Sequence, residues 1–426
     1  MISAELRHRG MTPAESPDRA DVIVANTCSV TAQADKTARA FLRRMHRENP
    51  SARILVTGCY AQRAPQEVAA LAGVHAVVGN SHKALLPQMA AQAAGFVPLA
   101  ALHQPAVYVD DAFAHSELAM PQGGWRADMA GGQTRPNLKV QDGCGNRCSF
   151  CIIPTTRGHS RSLPMEACLR EVQAFAAVGG VELVLSGINL GRWGRDLTPV
   201  CTLEELVSAI LRRTTLPRLR LSSIEPMDWT PQLLALFEGA GGRLARHAHL
   251  PLQSGSDAIL RAMHRRYRPW HYAEKLRLIR ERMPGAAIGA DVMVGFPGEN
   301  DALFEESFAF VAAQPFTYLH LFPFSPRPGT QAWQLAQEYP VPPQVVARRT
   351  ALLRELIAGK NRSFRQSFVG SELPAVSLRS DQDAAPRALT DNFLELQLAG
   401  KLGANQSVRA VVTGLTDTGL TGRLVT

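Results

Sequence analysis

Short apolar runs alternate with amphipathic stretches along most of the chain, and the pattern changes character twice. Near the start, Asp21–Ala25 (DVIVA), Arg53–Thr57 (RILVT) and Ala76–Val78 are apolar runs of strand length. Residues 33–47 (QADKTARAFLRRMHR) between the first two carry a helical period. Strand, helix, strand in this rhythm predicts a parallel sheet, whose ligand sites lie beyond the carboxyl ends of the strands. Residues 100–135 are rich in His, Pro, Gly and Asp, lack periodicity and are expected to be a linker. From about Leu138 to about residue 350, apolar runs and amphipathic helices return, with strands expected at 138–140, 182–186, 219–223, 247–252, 288–294 and 318–322. Six such repeats predict a partial (β/α)6 barrel with its chemistry at the carboxyl-terminal face. Residues 364–426 turn to short strands and Thr/Gly turns, the pattern of a small all-β barrel. The fold class expected is therefore α/β multidomain, with domains at 1–100, 136–358 and 361–426 and a linker at 101–135.

The strand ends carry the chemistry. The first barrel strand runs into QDGCGNRCSFCIIP, which spaces three cysteines as Cys144-x3-Cys148-x2-Cys151. Three thiolates on one short loop hold three corners of a cubane iron–sulfur cluster and leave the fourth iron open to a substrate. A structural zinc site wants four closed ligands, usually as paired hooks; no second hook lies nearby, and His159 is isolated. With Phe150 before the last cysteine, the spacing resembles the radical S-adenosylmethionine (SAM) signature CxxxCxΦC. In the first domain, Cys28 and Cys59 each follow a strand, so they either converge on one site or are inert buried thiols. Later strand ends read Ser186-Gly187-Ile188-Asn189, Ser222-Ser223-Ile224-Glu225-Pro226, Pro251-Leu252-Gln253-Ser254-Gly255-Ser256 and Gly295-Phe296-Pro297-Gly298-Glu299. Glycines admit close backbone approach, and Ser, Gln and Glu bond an amino acid or a ribose, so together these ends suggest a cofactor pocket.

Composition narrows the partners. The 426 residues carry a net charge of +9, which permits a polyanion without specifying one. From Arg261 to Arg282 eight Lys/Arg stand against two Asp/Glu, with Tyr267, Trp270 and Tyr272 interleaved; Arg265 and Arg266 belong to it. Phosphate contact and base stacking want these residue types, and so does a solvated helix with packed aromatics. From Asn361 to Thr426 seven Lys/Arg meet six Asp/Glu, so the last module has no basic stripe. Seven cysteines, three of them clustered, suit metal ligation in a reducing cytoplasm better than a disulfide framework. The start MISAELRHRG lacks the apolar core of a signal peptide, and no apolar run reaches the ~18 residues of a membrane helix, so no membrane is expected.

The segments ANTCSVT, VTGCYAQ, VQDGCGNRCSFCIIPTTRGHSRS, LSGINLGRWG, LSSIEP, HLPLQSGSDAILRAMHRRY, DVMVGFPGE, FPFSPRPGT and ALTDNFLEL span almost the whole chain. Together they resemble the radical SAM methylthiotransferase family, most closely its tRNA 2-methylthio-N6-threonylcarbamoyladenosine synthase branch. The resemblance implies a central radical SAM barrel and a C-terminal TRAM-like barrel. It implies a methylthio group added at C2 of the modified adenosine next to the anticodon, with tRNA as partner, an electron donor such as a flavodoxin or ferredoxin, and a sulfur source. Sister branches act on isopentenyladenosine in tRNA or on a ribosomal-protein aspartate; a non-catalytic metal-containing RNA-binding protein is the alternative of another class.

The same resemblance assigns residues. Cys144, Cys148 and Cys151 would bind the radical SAM [4Fe-4S] cluster, whose open iron takes SAM. Ser186, Gly187, Glu225, Gln253 and Gly295 would line the SAM pocket, and Arg157, Arg161, Arg265 and Arg266 would meet substrate. A second, auxiliary [4Fe-4S] cluster hangs on three cysteines of the first domain in this family, and Cys28 and Cys59 match two of them. The family opens with a strand and a Gly-Cys motif, whereas this chain begins at MISAELRHRGM, which resembles the helix that follows. A truncated chain and a misplaced start both account for the missing cysteine, the misplaced start being favoured. Cys168 and Cys201 are expected to be structural.

Overall fold

A computed structural model describes residues 2–93, 105–114, 134–380 and 385–425. The chain divides into two compact units. One comprises Met1–Gly124, Asp142–Arg161 and Ser325–Gln334; the other comprises Trp125–Gln141, Ser162–Phe324 and Leu335–Thr426. The units do not follow the boundaries expected along the chain, because the three-cysteine loop and residues 325–334 belong with the N-terminal segment.

The first unit is built on a parallel sheet of four strands in the order β1 (Val22–Thr27), β2 (Arg53–Gly58), β3 (Val74–Val78) and β4 (Ala106–Tyr108). Alternation along β2 sends Ile54 and Val56 to one face and Leu55 to the other. Ile54 and Val56 pack with Leu42 and Met45 of helix Ala32–Glu48, while Leu55 packs with Val78 and Leu86. Both faces are thus covered, as a parallel sheet requires. Thr31 caps the helix by accepting from the Ala34 amide at 3.1 Å. The expected linker is corrected here: residues 106–108 pair with β3 as an edge strand. Exposed along its whole length, that strand shows no alternation for a sequence pattern to reveal. Most of the remaining linker lies outside the described residues.

The second unit carries the β/α repeats. Strands β5 (Asn137–Lys139), β8 (Glu182–Ser186) and β9 (Arg218–Leu221) form one parallel sheet, and β10 (His247–His249), β11 (Ala287–Val294) and β12 (Tyr318–Pro323) another. Two short strands, β6 (Gln141–Asp142) and β7 (Arg161–Ser162), flank the cysteine loop. A bridge between Leu219 and Leu244 and a bond from the Ile224 amide to the His249 carbonyl (3.0 Å) join the two sheets. Six parallel strands in this order make the expected partial barrel.

Helix Pro343–Gln366 crosses the expected 358/361 boundary and leads into a closed barrel. Its strands are β13 (Glu372–Ser377), β14 (Arg387–Thr390), β15 (Glu395–Leu398), β16 (Ser407–Leu415) and β17 (Leu420–Leu424). The segment ALTDNFL docks it: Arg220 donates to the Thr390 and Asp391 carbonyls, each at 3.1 Å, and Arg246 bonds the Asp391 carboxylate at 2.6 Å. Arg220 is fixed in turn by Glu182, which is fully buried, at 2.7 Å. No helix among the described residues is long and apolar enough to cross a membrane.

Candidate functional site

In the first unit, Thr27 of β1 and Gly58 of β2 are register partners, so the next residues, Cys28 and Cys59, leave the same sheet edge side by side. Adjacent strands lie about 4.8 Å apart, which brings two thiols within reach of one ligand. Gly58 adopts φ +100°, and a Cβ there would meet the Thr27 carbonyl oxygen at 2.2 Å. Only glycine allows this turn from β2 into helix Cys59–Arg63. Cys28 is exposed and Cys59 buried. From the end of β3, Asn80 donates to Cys59 Sγ at 3.6 Å and to the Thr156 carbonyl at 3.0 Å.

Cys144, Cys148 and Cys151 lie in the same unit as Cys28 and Cys59, half-exposed and free of disulfides. Gly143 (φ +73°) turns the chain into their loop, where a Cβ would strike the His159 carbonyl oxygen at 1.8 Å. The Cys144 amide bonds the Gly158 carbonyl at 3.1 Å, and the Cys151 amide bonds the Cys148 carbonyl at 3.1 Å. The Asn146 amide donates to Cys144 Sγ at 3.4 Å. Three reduced thiols, one already receiving an amide hydrogen bond, are the donor set of a [4Fe-4S] cluster with an open iron. The residues fit that group. For an auxiliary cluster this unit supplies two thiols; Cys168 and Cys201 lie in the other unit. Cys168 is buried there with its pKa pushed up by burial to about 12, and Cys201 donates to the Pro199 carbonyl at 3.4 Å.

Several expected substrate contacts are engaged within the protein. Arg157 bonds Asp142 at 3.0 Å and lies near the Cys59 thiol. Burial opposes its charge, but Cys59 and Asp142 outweigh that and hold its pKa above the ordinary arginine value. Arg161 is buried and donates to the Arg157 carbonyl at 3.0 Å. Arg265 is buried between Glu225 and Tyr267. In the basic stretch Tyr267 and Tyr272 are core residues, donating to the Pro251 and Leu250 carbonyls, which removes them from base stacking. Arg266 and Trp270 remain exposed. Periodicity alone could not separate a packed aromatic from a displayed one.

In the second unit, Ser186, Gly187, Glu225 and Gln253 stand half-buried at the ends of β8, β9 and β10. Gln253 holds φ +65°, unusual for a residue with a side chain, and is pinned by bonds from its amide to the Asp291 carbonyl (2.7 Å) and from the Met293 amide to its own carbonyl (2.8 Å). These polar groups suit the amino, carboxylate and ribose groups of SAM. Gly295 has another reason for its glycine: at φ +77° a Cβ would meet Val346 at 2.4 Å. Sequence inspection missed Arg327, which reaches Ser29 and Asp35 beside Cys28 at 2.9 and 2.6 Å.

The fold and the three-cysteine loop define a radical SAM enzyme, and residues 138–311 match the family described as the Radical SAM superfamily. Residues 1–79 match the Uncharacterized protein family UPF0004. The threonylcarbamoyladenosine tRNA methylthiotransferase MtaB of Aquifex aeolicus is 34% identical over 412 residues, covering 97% of this chain and 96% of that protein. The tRNA-2-methylthio-N(6)-dimethylallyladenosine synthase of Fervidobacterium nodosum is 29% identical over 379 residues, 88% of this chain and 83% of that protein. The radical SAM methyltransferase TsrM of Kitasatospora setae shares the fold, with a TM-score of 0.55 at 15% identity over 79% of this chain and 69% of that one. The chain belongs to the radical SAM methylthiotransferase family.

Proposed function

We propose that this enzyme adds a methylthio group at C2 of N6-threonylcarbamoyladenosine, next to the anticodon of tRNA. The observation that carries this is the Aquifex relative, matched over 97% of the chain and named for that activity. The site agrees with it, because the three-cysteine loop shares one compact unit with Cys28 and Cys59.

Cys144, Cys148 and Cys151 are the residues that would hold the radical SAM cluster, and Ser186, Gly187, Glu225 and Gln253 those that would hold SAM. When bound, that pair supplies one-electron chemistry that breaks a carbon–hydrogen bond too strong and non-acidic for a protein base. The chain's own residues position and shield. The Gly143 turn and the Gly158 carbonyl set the direction of the Cys144 thiol, and the Asn146 amide stabilises its thiolate. Asn80 holds Cys59, which with Cys28 would carry the auxiliary cluster as the site of sulfur delivery. Gln253, locked in its left-handed conformation, is organised before any ligand arrives, so little ordering remains to be done on binding.

The exposed Arg266 is the surviving candidate of the basic stretch for contact with tRNA phosphate. Work on tRNA suits a cytoplasmic enzyme, and the chemistry calls for an electron donor such as a flavodoxin or ferredoxin and for a sulfur source. Nucleosides from the tRNA of a deletion strain test the substrate. Loss of the 2-methylthio form with accumulation of its threonylcarbamoyl precursor supports the proposal; unchanged tRNA, or loss of 2-methylthio-isopentenyladenosine instead, overturns it.

A further inference from the structure

Three polar side chains occupy one face of the β10–β12 sheet. Asp291 of β11 is the register partner of His320 on β12, and His249 ends β10 beside Gly289, two residues earlier on β11. Along β11 Ala290, Val292 and Val294 are buried, whereas Asp291 and Met293 between them are only half-buried. Asp291 therefore shares its face with His320, which is half-exposed, and with His249, which is nearly covered.

The spacing of the donor atoms is specific. Asp291 Oδ1 lies 3.4 Å from His249 Nε2 and 3.2 Å from His320 Nδ1. All three ligand atoms lie within 4.8 Å of one another. Zinc bonds of about 2.0–2.2 Å put neighbouring tetrahedral ligands roughly 3.4 Å apart, so both Asp–His edges are already of ligand length. The His–His edge closes by a turn of the His320 side chain, which its exposure permits. His249 Nε2 is buried and faces Asp291 at ion-pair distance without forming a hydrogen bond, an arrangement that a cation bound between the two would satisfy.

We propose that His249, Asp291 and His320 form a binding site for one divalent transition-metal ion of the zinc class. Two imidazoles and a carboxylate are the donor set of open, exchangeable sites, which keep a position for water or a ligand oxygen. Below the triad, His247 bonds the Tyr318 hydroxyl at 2.6 Å and stacks on Phe393, closing the site on that side with rings. The Asp291 carbonyl accepts from both the Leu252 and Gln253 amides, at 3.1 and 2.7 Å, so the strand cannot shift without moving Gln253. The metal would thus sit on the scaffold that positions Gln253, whatever the nucleoside modified.

Zinc itself is the probe. Full-length protein with its iron–sulfur clusters reconstituted anaerobically is incubated with zinc, desalted, and analysed for zinc and iron and by zinc X-ray absorption. The expected result is one zinc ion per chain with only nitrogen and oxygen neighbours at about 2.0–2.2 Å. In His320→Ala the affinity for zinc should fall by more than ~100-fold, beyond the 10–100-fold of outer-shell changes, with iron unchanged. His320 is half-exposed, so this variant keeps its fold, and Asp291→Asn provides a second, nearly isosteric loss of ligand charge. Zinc retained by both variants overturns the proposal. So do sulfur neighbours at about 2.3 Å, which mean zinc on cysteines, and no zinc bound at all, which leaves the triad a hydrogen-bonded group for an organic ligand.

Discussion

Arg327 and Asp35 stand 292 residues apart in the chain and meet in a buried ion pair, Nη2 to Oδ2 at 2.6 Å. Arg63 reaches the same carboxylate oxygen at 2.8 Å, and both arginines donate to Ser29 Oγ. Ser29 donates to the other carboxylate oxygen at 2.7 Å and is fully buried, next in sequence to Cys28. Two guanidiniums on one carboxylate thus hold the segment that presents Cys28.

Removing the carboxylate leaves the buried Arg327 and the half-buried Arg63 without their partner. Asp35→Ala should cost roughly 3–5 kcal/mol of stability, read from urea unfolding of the apoprotein. Asp35→Asn keeps the shape but not the charge and should fall between the two. Equal stability of all three proteins contradicts the clamp.

The turn at Gly58 makes a sharper demand. Alanine there pays the left-handed backbone penalty of about 1–2 kcal/mol and a clash with the Thr27 carbonyl, since a Cβ would come within 2.2 Å of it. Gly58→Ala should therefore unfold at clearly lower urea and bind less iron at the Cys28–Cys59 end. A stability loss under ~0.5 kcal/mol, the size of an ordinary surface change, would argue against this role.

Arg157 separates two readings of one residue. Its bond to Asp142, with the Cys59 thiol nearby, makes it a positioning residue within the protein, whereas the sequence suggested a contact with substrate phosphate. Arg157→Gln should shift the electron paramagnetic resonance signal of the reduced protein while leaving its affinity for tRNA within about twofold, as expected where no phosphate contact is lost. Weaker tRNA binding with an unchanged signal would restore the phosphate contact.

The parallel sheets were legible because their strands are apolar runs separated by helical periods, and the cysteine loop because its spacing is specific. Contacts between distant segments were not. Asp35 and Arg327 look like ordinary surface charges until the fold buries them, and Tyr267 and Tyr272 look displayed until they are seen bonding the carbonyls of β10's exit. Edge strand β4 has no buried face to print a pattern. The triad left a faint trace, since His249, Asp291 and His320 are polar residues inside otherwise apolar strands. Thr390 and Asp391, first noticed within a family motif, prove to hold the C-terminal barrel through Arg220 and Arg246.

Cys168 offers a pH-dependent test. Burial raises its pKa from the ordinary 9.0 to about 12, so the fold holds a proton that the unfolded chain releases earlier. This contribution to stability is complete below pH 9.0 and is lost as pH rises towards 12. Near pH 9.0, iodoacetamide should leave Cys168 unmodified in native protein and label it in urea, as peptide mass spectrometry would show. Labelling of native Cys168 as fast as that of Cys201 contradicts its burial.

The central claim is that two cysteine sets divide one reaction on tRNA. The most direct measurement incubates reconstituted enzyme, SAM and reductant with tRNA bearing threonylcarbamoyladenosine, then quantifies 5′-deoxyadenosine and the 2-methylthio nucleoside by mass spectrometry. Both products should form with the parent chain. The Cys28→Ala/Cys59→Ala variant should make 5′-deoxyadenosine but no methylthio nucleoside, and Cys148→Ala should make neither. Methylthio product from the Cys28→Ala/Cys59→Ala variant, or SAM cleavage by Cys148→Ala, would contradict the account.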